Sequence, residues 1–390
     1  MIYFIGAGVI LLPLYVRMQL IPGSWFKIDL AFGQNLGFAF FVALFLILIR
    51  PRQKASYPPW QLILAGVGLM THSFFLTFWG YHAKSNMVTM GIGAGTALLL
   101  HIVRTMEKAD IEKLKTCIWM SGVIQAGIMA MQMNGYQYHD LLVNTFSWIT
   151  GIPMKWKVGL GEPVGVMMQT AHSGACIAVC VPFCTGKWWR WLALPLMLWA
   201  VFTTTSLMAI GAALFSLVAV FIFKYWKHIK EMWVEIGALL AVIYWLLTGM
   251  GGLVIYKSHP FWDDQSRFKV WGEIWQYRDR LMDLRTWLIG HGTGFWGISG
   301  PVITSDYKPP WGHPHNEGIW FIMTFGLLGV LLITPAVWKI FKMRNKDAAV
   351  FGCFVAILCN SFGNYTLHLI PAMTVGVIAL SIACYSDING

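Results

Sequence analysis

Long apolar runs alternate with short polar connections from one end of this chain to the other. A membrane-crossing helix needs about 20 mostly apolar residues. Twelve runs meet or approach that length: roughly 2–20, 30–49, 60–80, 88–105, 117–133, 164–184, 191–205, 207–223, 234–255, 318–340, 348–363 and 368–385. The stretch from Trp191 to Phe223 is too long for one span and short for two. The polar pause Thr203-Thr204-Thr205-Ser206 suits a tight turn that divides it. The first run, Ile2 to Leu20, has no basic region before it and no small-residue cleavage site. It reads as a retained span rather than a cleaved signal peptide. The pattern predicts an all-α integral membrane protein with twelve transmembrane helices, a single polytopic domain over 1–390.

Composition agrees. Of the 390 residues, 57% are hydrophobic and 12% charged, where a soluble domain carries about 25% charged residues. The 21 Trp and 13 Tyr suit the aromatic belts of a bilayer interface.

The net charge of +11 would by itself suggest a nucleic-acid partner, but its distribution excludes that reading. Arg50, Arg52 and Lys54 fall in one connection. Arg104, Lys108, Lys113 and Lys115 fall in another, Lys187 and Arg190 in a third, Lys224, Lys227 and Lys230 in a fourth, and Lys339, Lys342, Arg344 and Lys346 in a fifth. These are alternate connections, so they share one face of the membrane. They hold 16 of the 28 Lys and Arg, which makes that face cytoplasmic by the positive-inside rule. Both termini are then cytoplasmic. The opposite face, periplasmic in a bacterial inner membrane, carries two long connections near 134–163 and 256–317.

Cys176, Cys180 and Cys184 recur every fourth residue. Such a stripe can hold a metal, but small apolar side chains packed against a neighbouring helix are the simpler reading. The spacing of the seven cysteines indicates no disulfide framework.

The outer connection 256–317 concentrates the chemistry. Asp263-Asp264-Gln265-Ser266 has the composition of a helix start. Arg267 to Trp287 then reads as an amphipathic helix, with Phe268, Trp271, Ile274 and Trp275 on one face. That face belongs against the membrane surface or over a cavity mouth. Arg278, Arg280 and Arg285 read as a solvated or headgroup face, whereas Arg267 stands close to the membrane. Gly290-His291-Gly292-Thr293-Gly294 lacks the Gly-Lys-Ser/Thr of a nucleotide loop and faces a compartment without ATP. It reads instead as a glycine turn that brings backbone close to a ligand or a helix.

His313-Pro314-His315-Asn316-Glu317 stands at the mouth of the run from Gly318. Two imidazoles, an amide and a carboxylate at a membrane surface are costly without a use. The N-terminus of the following helix offers free N–H groups and a positive dipole end, an anion site suited to phosphate. Arg267 or Lys257 would add charge there. His313 and His315 admit three readings: a zinc pair lacking an obvious third ligand, a structural pair bonding loop carbonyls, or a base beside a phosphate.

Taken in order, Ser266-Arg267-Phe268-Lys269-Val270-Trp271, Leu288-Ile289-Gly290-His291-Gly292-Thr293-Gly294-Phe295, His313-Pro314-His315-Asn316-Glu317 and Phe325-Gly326-Leu327-Leu328-Gly329 resemble the O-antigen ligase and polymerase superfamily of bacterial membrane glycosyltransferases. That superfamily includes lipopolysaccharide O-antigen ligases, Wzy-type polymerases and some protein O-oligosaccharyltransferases. Asn364-Tyr365-Thr366-Leu367-His368-Leu369-Ile370-Pro371 resembles a further family segment. The resemblance implies a GT-C-like helical fold with a periplasmic site, a polyprenyl-diphosphate-linked glycan donor, and neither metal nor other cofactor. It implies that Arg267 holds the diphosphate and that His313 and His315 sit at the reacting hydroxyl. Asn316 and Lys257 are further candidates for binding the substrate. Two positions depart from the family pattern. Ser206-Leu207-Met208-Ala209 stands where members carry Ser-Arg, and Asn364 where many carry an acid before Tyr. Substitute cations for the missing arginine are Arg17, Lys155, Lys157 and His172.

The expected activity is inverting, metal-independent transfer of a glycan to a hydroxyl acceptor, lipid A–core in a ligase. A second lipid-linked glycan is the acceptor in a polymerase and a protein hydroxyl in an oligosaccharyltransferase. The chain has no Asp-x-Asp, the acidic pair of metal-dependent lipid-linked oligosaccharyltransferases. A transporter or flippase is the rival class. Coupled transporters place carboxylates mid-membrane, whereas Glu235 and Glu317 lie only at span ends.

Overall fold

The computed structural model describes residues 57–76, 82–135, 170–225, 271–272, 274, 282–293, 316–343, 347–364 and 366–389. Every regular element among them is helical. In chain order these are α1 (Trp60–Phe75), α2 (His82–Thr105), α3 (Lys108–Met133), α4 (Thr170–Cys180), α5 (Leu194–Thr203), α6 (Leu207–Tyr225), α7 (Leu284–Ile289), α8 (Glu317–Met343), α9 (Ala348–Ser361) and α10 (Ile370–Asn389). Four of them contain a stretch long and apolar enough to cross a membrane: Asp110–Met133, Leu207–Tyr225, Glu317–Lys342 and Pro371–Ile388. Of the twelve expected spans, 2–20, 30–49 and 234–255 lie outside the described residues. The other nine each coincide with a helix or a helix and its 3-10 extension.

The division of the 191–223 stretch falls where the sequence places it. α5 ends at Thr203, and Thr205 takes a left-handed φ of 53°. The Thr204 hydroxyl accepts from the Ser206 N–H at 3.3 Å, and Ser206 Oγ accepts from the Ala209 N–H, capping α6. α4 runs on into the 3-10 turn Val181–Thr185 and α5 follows the 3-10 turn Trp188–Ala193, and Ala171–Thr185 is still a shorter apolar helix than the four candidate spans. Pro182 at the start of Val181–Thr185 cannot donate to an α-helical ladder.

α4 is apolar all round and is enclosed by α3, α5, α6, α9 and α10. Its residues Ala175 to Cys180 are at most 1% exposed. Cys180 meets α3 at Gly122, and Cys184 Sγ lies 3.6 Å from Met197 Sδ of α5. The cysteines therefore pack helix against helix. α6 and α9 run antiparallel with Met208 beside Gly363 and Ser216 beside Gly352. A Cβ on Gly352 would lie 2.9 Å from Pro182 Cβ and 3.0 Å from the Ser216 carbonyl oxygen, so this close crossing requires the missing side chain.

One end of the bundle is basic. Arg190, fully buried, donates to Glu112 Oε2 at 3.2 Å and to Thr116 Oγ1 at 2.8 Å. Lys115 pairs with Glu112 at 2.9 Å and with Asp347 at 2.5 Å, and Asp347 also caps α9. Lys339 pairs with Asp387 at 2.5 Å. These contacts gather the starts of α3 and α9 with the ends of α8 and α10 and the turn before α5. The opposite end carries the starts of α4, α6, α8 and α10, and the end of α9.

Candidate functional site

At that opposite end the segments singled out in the sequence meet. Asn316 is the N-cap of α8: its Oδ1 accepts from the Ile319 N–H at 3.0 Å. Its Nδ2 donates to the Phe362 carbonyl, at the C-cap of α9, at 3.0 Å. Glu317 follows in the first turn of α8, where the helix dipole favours a carboxylate. It is buried, and its Oε1 accepts from the Leu367 N–H at 2.9 Å and lies 3.2 Å from His368 Nδ1. Trp320, one turn along α8, stands edge-on to the His368 ring with centroids 4.3 Å apart.

The expected phosphate site at this helix start is therefore narrower than the sequence suggests. The Ile319 N–H is already taken by Asn316, and the positive dipole end already faces Glu317. Both polar atoms of Asn316 bond protein, so its part in the site is to hold the helix start rather than to grip a ligand.

A second convergence lies deeper. α8 is broken at Gly326, which takes φ 60° and ψ −161°, a conformation open essentially to glycine alone. The break prevents continuous helical bonding, and another segment takes up two carbonyls before it. The His291 N–H donates to the Met323 carbonyl at 2.9 Å and the Gly292 N–H to the Thr324 carbonyl at 3.0 Å. Gly290, at φ 73°, passes so near that a Cβ would collide with the Thr324 carbonyl. His72 of α1 bonds the Ile289 carbonyl through Nε2 at 2.6 Å and stacks at a tilt on Phe325. The glycine turn 290–292 is thus a structural wedge, the backbone-to-helix reading.

The amphipathic face reads correctly at Trp271 and Ile274. They pack with Met282 against Ile319, Trp320 and Met323 of α8. The single helix expected from Arg267 to Trp287 does not hold, because Met282 and Asp283 are not helical. Asp283 is extended, and its carboxylate accepts from the Thr286 N–H at 2.7 Å, which starts a separate helix, α7. An aspartate three residues before a free N–H competes with continuation of the helix above it.

His172 is buried in the first turn of α4, beside Ala171, whose carbonyl the Asn364 side chain reaches at 3.5 Å. It therefore belongs to the same end as Glu317 and His368. Asn360 and Thr366, fully buried there, add side-chain polar atoms with no hydrogen-bond partner among the described residues. Ser206, where the family pattern continues with arginine, caps α6, and Met208 packs on Gly363. His313, His315, Arg267, Lys257, Arg17, Lys155 and Lys157 lie outside the described residues.

The Glu317–His368 pair was not anticipated from the sequence. The available signal was topological: Glu317 opens one span and His368 another, and both spans start on the same face. Among the described residues no group of three His, Cys, Asp or Glu is placed to hold a metal. The chain matches no protein-family model and no curated protein.

Proposed function

We propose that this protein is a bacterial inner-membrane glycosyltransferase of the O-antigen ligase type. It has twelve spans in a GT-C-like arrangement, both termini in the cytoplasm and its site on the periplasmic face. A hydroxyl of the acceptor, lipid A–core in this reading, attacks the anomeric carbon of the donor's reducing-end sugar, and the polyprenyl diphosphate leaves. Arg267, with Lys257 or another loop cation, neutralises the leaving diphosphate. An imidazole at the start of α8 orients the acceptor and takes its proton. The diphosphate is already a good leaving group, so the reaction needs no further energy source.

One observation carries the reading. Parts of all five segments that resemble the superfamily, separated by up to about a hundred residues in sequence, meet on the N-terminal half of α8. Trp271 packs on the cluster that Met323 of α8 forms with Ile274 and Met282, the 290–292 turn wedges at Gly326, and Asn316 and Glu317 bond the 362–368 corner. This meeting point lies at the end away from the basic residues, as an extracytoplasmic site requires. Polymerase and protein O-oligosaccharyltransferase activities use the same donor and differ only in acceptor.

The broken helix at Gly326 favours transport, since transporters coordinate ions at such breaks. Here, however, the Met323 and Thr324 carbonyls are occupied by backbone N–H groups, which leaves them poorly placed to hold an ion.

The test uses purified protein in nanodiscs with a polyprenyl-diphosphate-linked glycan and three acceptors: lipid A–core, a second lipid-linked glycan and a pilin-like peptide. Metal-independent transfer, lost in Arg267→Ala and His315→Ala, is the expected result, and the acceptor used names the subclass. Folded protein that transfers to none of them sinks the proposal.

A further inference from the structure

We infer that the turn from Gly186 to Arg190, at the basic end of the bundle, binds a phosphate group through the Arg190 guanidinium and the Lys187 ammonium. This site is separate from the glycosyl-transfer site and does not depend on that reading. Arg190 is fully buried, yet its hydrogen bonding is one-sided. Nη2 alone serves the Glu112 main-chain carbonyl at 3.3 Å, Glu112 Oε2 at 3.2 Å and Thr116 Oγ1 at 2.8 Å. Nε and Nη1 are buried and have no hydrogen-bond partner among the described residues. Those two nitrogens carry three of the five N–H groups of a guanidinium. Unmet donors on a buried cation are costly, and an anion with several oxygens is the partner that satisfies them.

Charge and access agree with this. The Glu112 carboxylate is already divided between Arg190 and Lys115, and Lys115 is paired with Asp347 as well. These two cations and two carboxylates balance. Lys187, exposed and in no ion pair among the described residues, adds one further positive charge. The Arg190 N–H donates to the Lys187 carbonyl at 3.0 Å, so both cations ride on one turn. On the side of Gly186, Nη1 is covered by main chain: a Cβ there would lie 2.8 Å from it, and Gly186 is exposed. The φ of −75° and ψ of −62° at Gly186 suit any residue, so what the glycine contributes is clearance over the guanidinium. A small shift of this two-residue link between the 3-10 turns bares the donors. Trp188 and Leu192, 79% and 75% exposed, flank the turn with apolar surface. A membrane phospholipid fits both the donors and this surface, and a free phosphate fits the donors alone.

The experiment uses the purified full chain in neutral detergent. It is titrated separately with phosphatidylglycerol, with diacylglycerol of the same tails, and with inorganic phosphate at constant ionic strength. Binding is read by native mass spectrometry and by the rise in melting temperature that a ligand of the folded state produces. Arg190→Lys keeps a cation opposite Glu112 and loses the Nε and Nη1 donors. Lys187→Gln changes an exposed side chain, so it tests the site even where Arg190→Lys unfolds. Lys224→Gln, an exposed lysine at the end of α6, controls for the loss of one charge. The wild type should hold one phosphate carrier. Its affinity should fall about 10-fold or more in Arg190→Lys and about 3-fold in Lys187→Gln, and stay unchanged in Lys224→Gln. Whichever of phosphatidylglycerol and inorganic phosphate binds with that pattern names the source of the group. Equal binding of diacylglycerol, equal affinity in the wild type, Arg190→Lys and Lys187→Gln, or binding of neither phosphate carrier overturns the inference. Glycan transfer is not among these readouts, so the outcome is independent of the proposed function.

Discussion

Asn316 shows how one side chain sets the geometry of this end of the molecule. Its oxygen caps α8 and its amide ties α8 to the last turn of α9. The two roles are separable by substitution. Asn316→Asp keeps the cap and loses only the donor to the Phe362 carbonyl, while Asn316→Ala loses both. Loss of a cap costs about 1 kcal/mol, and one hydrogen bond contributes about 1 kcal/mol. Unfolding in mixed micelles should therefore rank wild type above Asp and Asp above Ala, with roughly 2 kcal/mol between the extremes. Equal stability of all three would show that neither bond matters to the folded protein. Because His315 is the next residue back, the same loosening should lower transfer activity in Ala more than in Asp.

At the scale of elements, nine of the expected apolar runs coincide with helices, four of them containing a stretch long and apolar enough to cross a membrane, because each carries its own apolar run and apolar length is read directly from sequence. The Thr203–Ser206 turn was legible for the same local reason: four hydroxyl residues in an apolar context have few places to go. The wedge of Gly290–Gly292 into α8 was legible only as a backbone approach. Its target, the carbonyls before Gly326, depends on a contact between residues more than 30 apart in the chain, and no period encodes that. The end of the Arg267 helix was misread because the apolar stripe continues past Asp283, while the break is decided by one carboxylate and one N–H. Gly326 is where the element-level account is most exposed to test. At φ 60° and ψ −161° a side chain is strained, and an added Cβ would lie 2.9 Å from the Ile289 backbone nitrogen and carbonyl carbon. Gly326→Ala should cost about 1–3 kcal/mol from strain alone and displace the wedge. Gly127→Ala in α3, where an added Cβ meets nothing within 4 Å, should be neutral or up to about 1 kcal/mol stabilising. The two alanines measured side by side separate a glycine required by conformation from one that is merely tolerated.

For the whole molecule, everything turns on which side each end faces. The ion pairs Arg190–Glu112, Lys115–Asp347 and Lys339–Asp387 draw basic residues from three segments to one end, and the Asn316, Glu317 and His368 corner occupies the other. By positive-inside sidedness we propose that the first end is cytoplasmic and the second extracytoplasmic. The charge rule acts during insertion, and the ion pairs form afterwards, on folding, between some of the same basic residues and nearby carboxylates. Lys113 and Leu367 are suited to a test, since Leu367 is 48% exposed and the Lys113 side chain 46%. Cysteines placed singly there, with native Cys117 and Cys359 replaced because they are half-exposed, should react oppositely with a membrane-impermeant maleimide. In intact bacterial spheroplasts Leu367→Cys should label at once and Lys113→Cys only after permeabilisation. The reverse pattern would put the Glu317–His368 corner in the cytoplasm, where nucleotide-activated sugars are the available donors, and would remove the ground for a lipid-linked donor. Labelling of both from the same side would mean that the two ends of this bundle do not straddle a membrane, and the spans themselves would have to be redrawn.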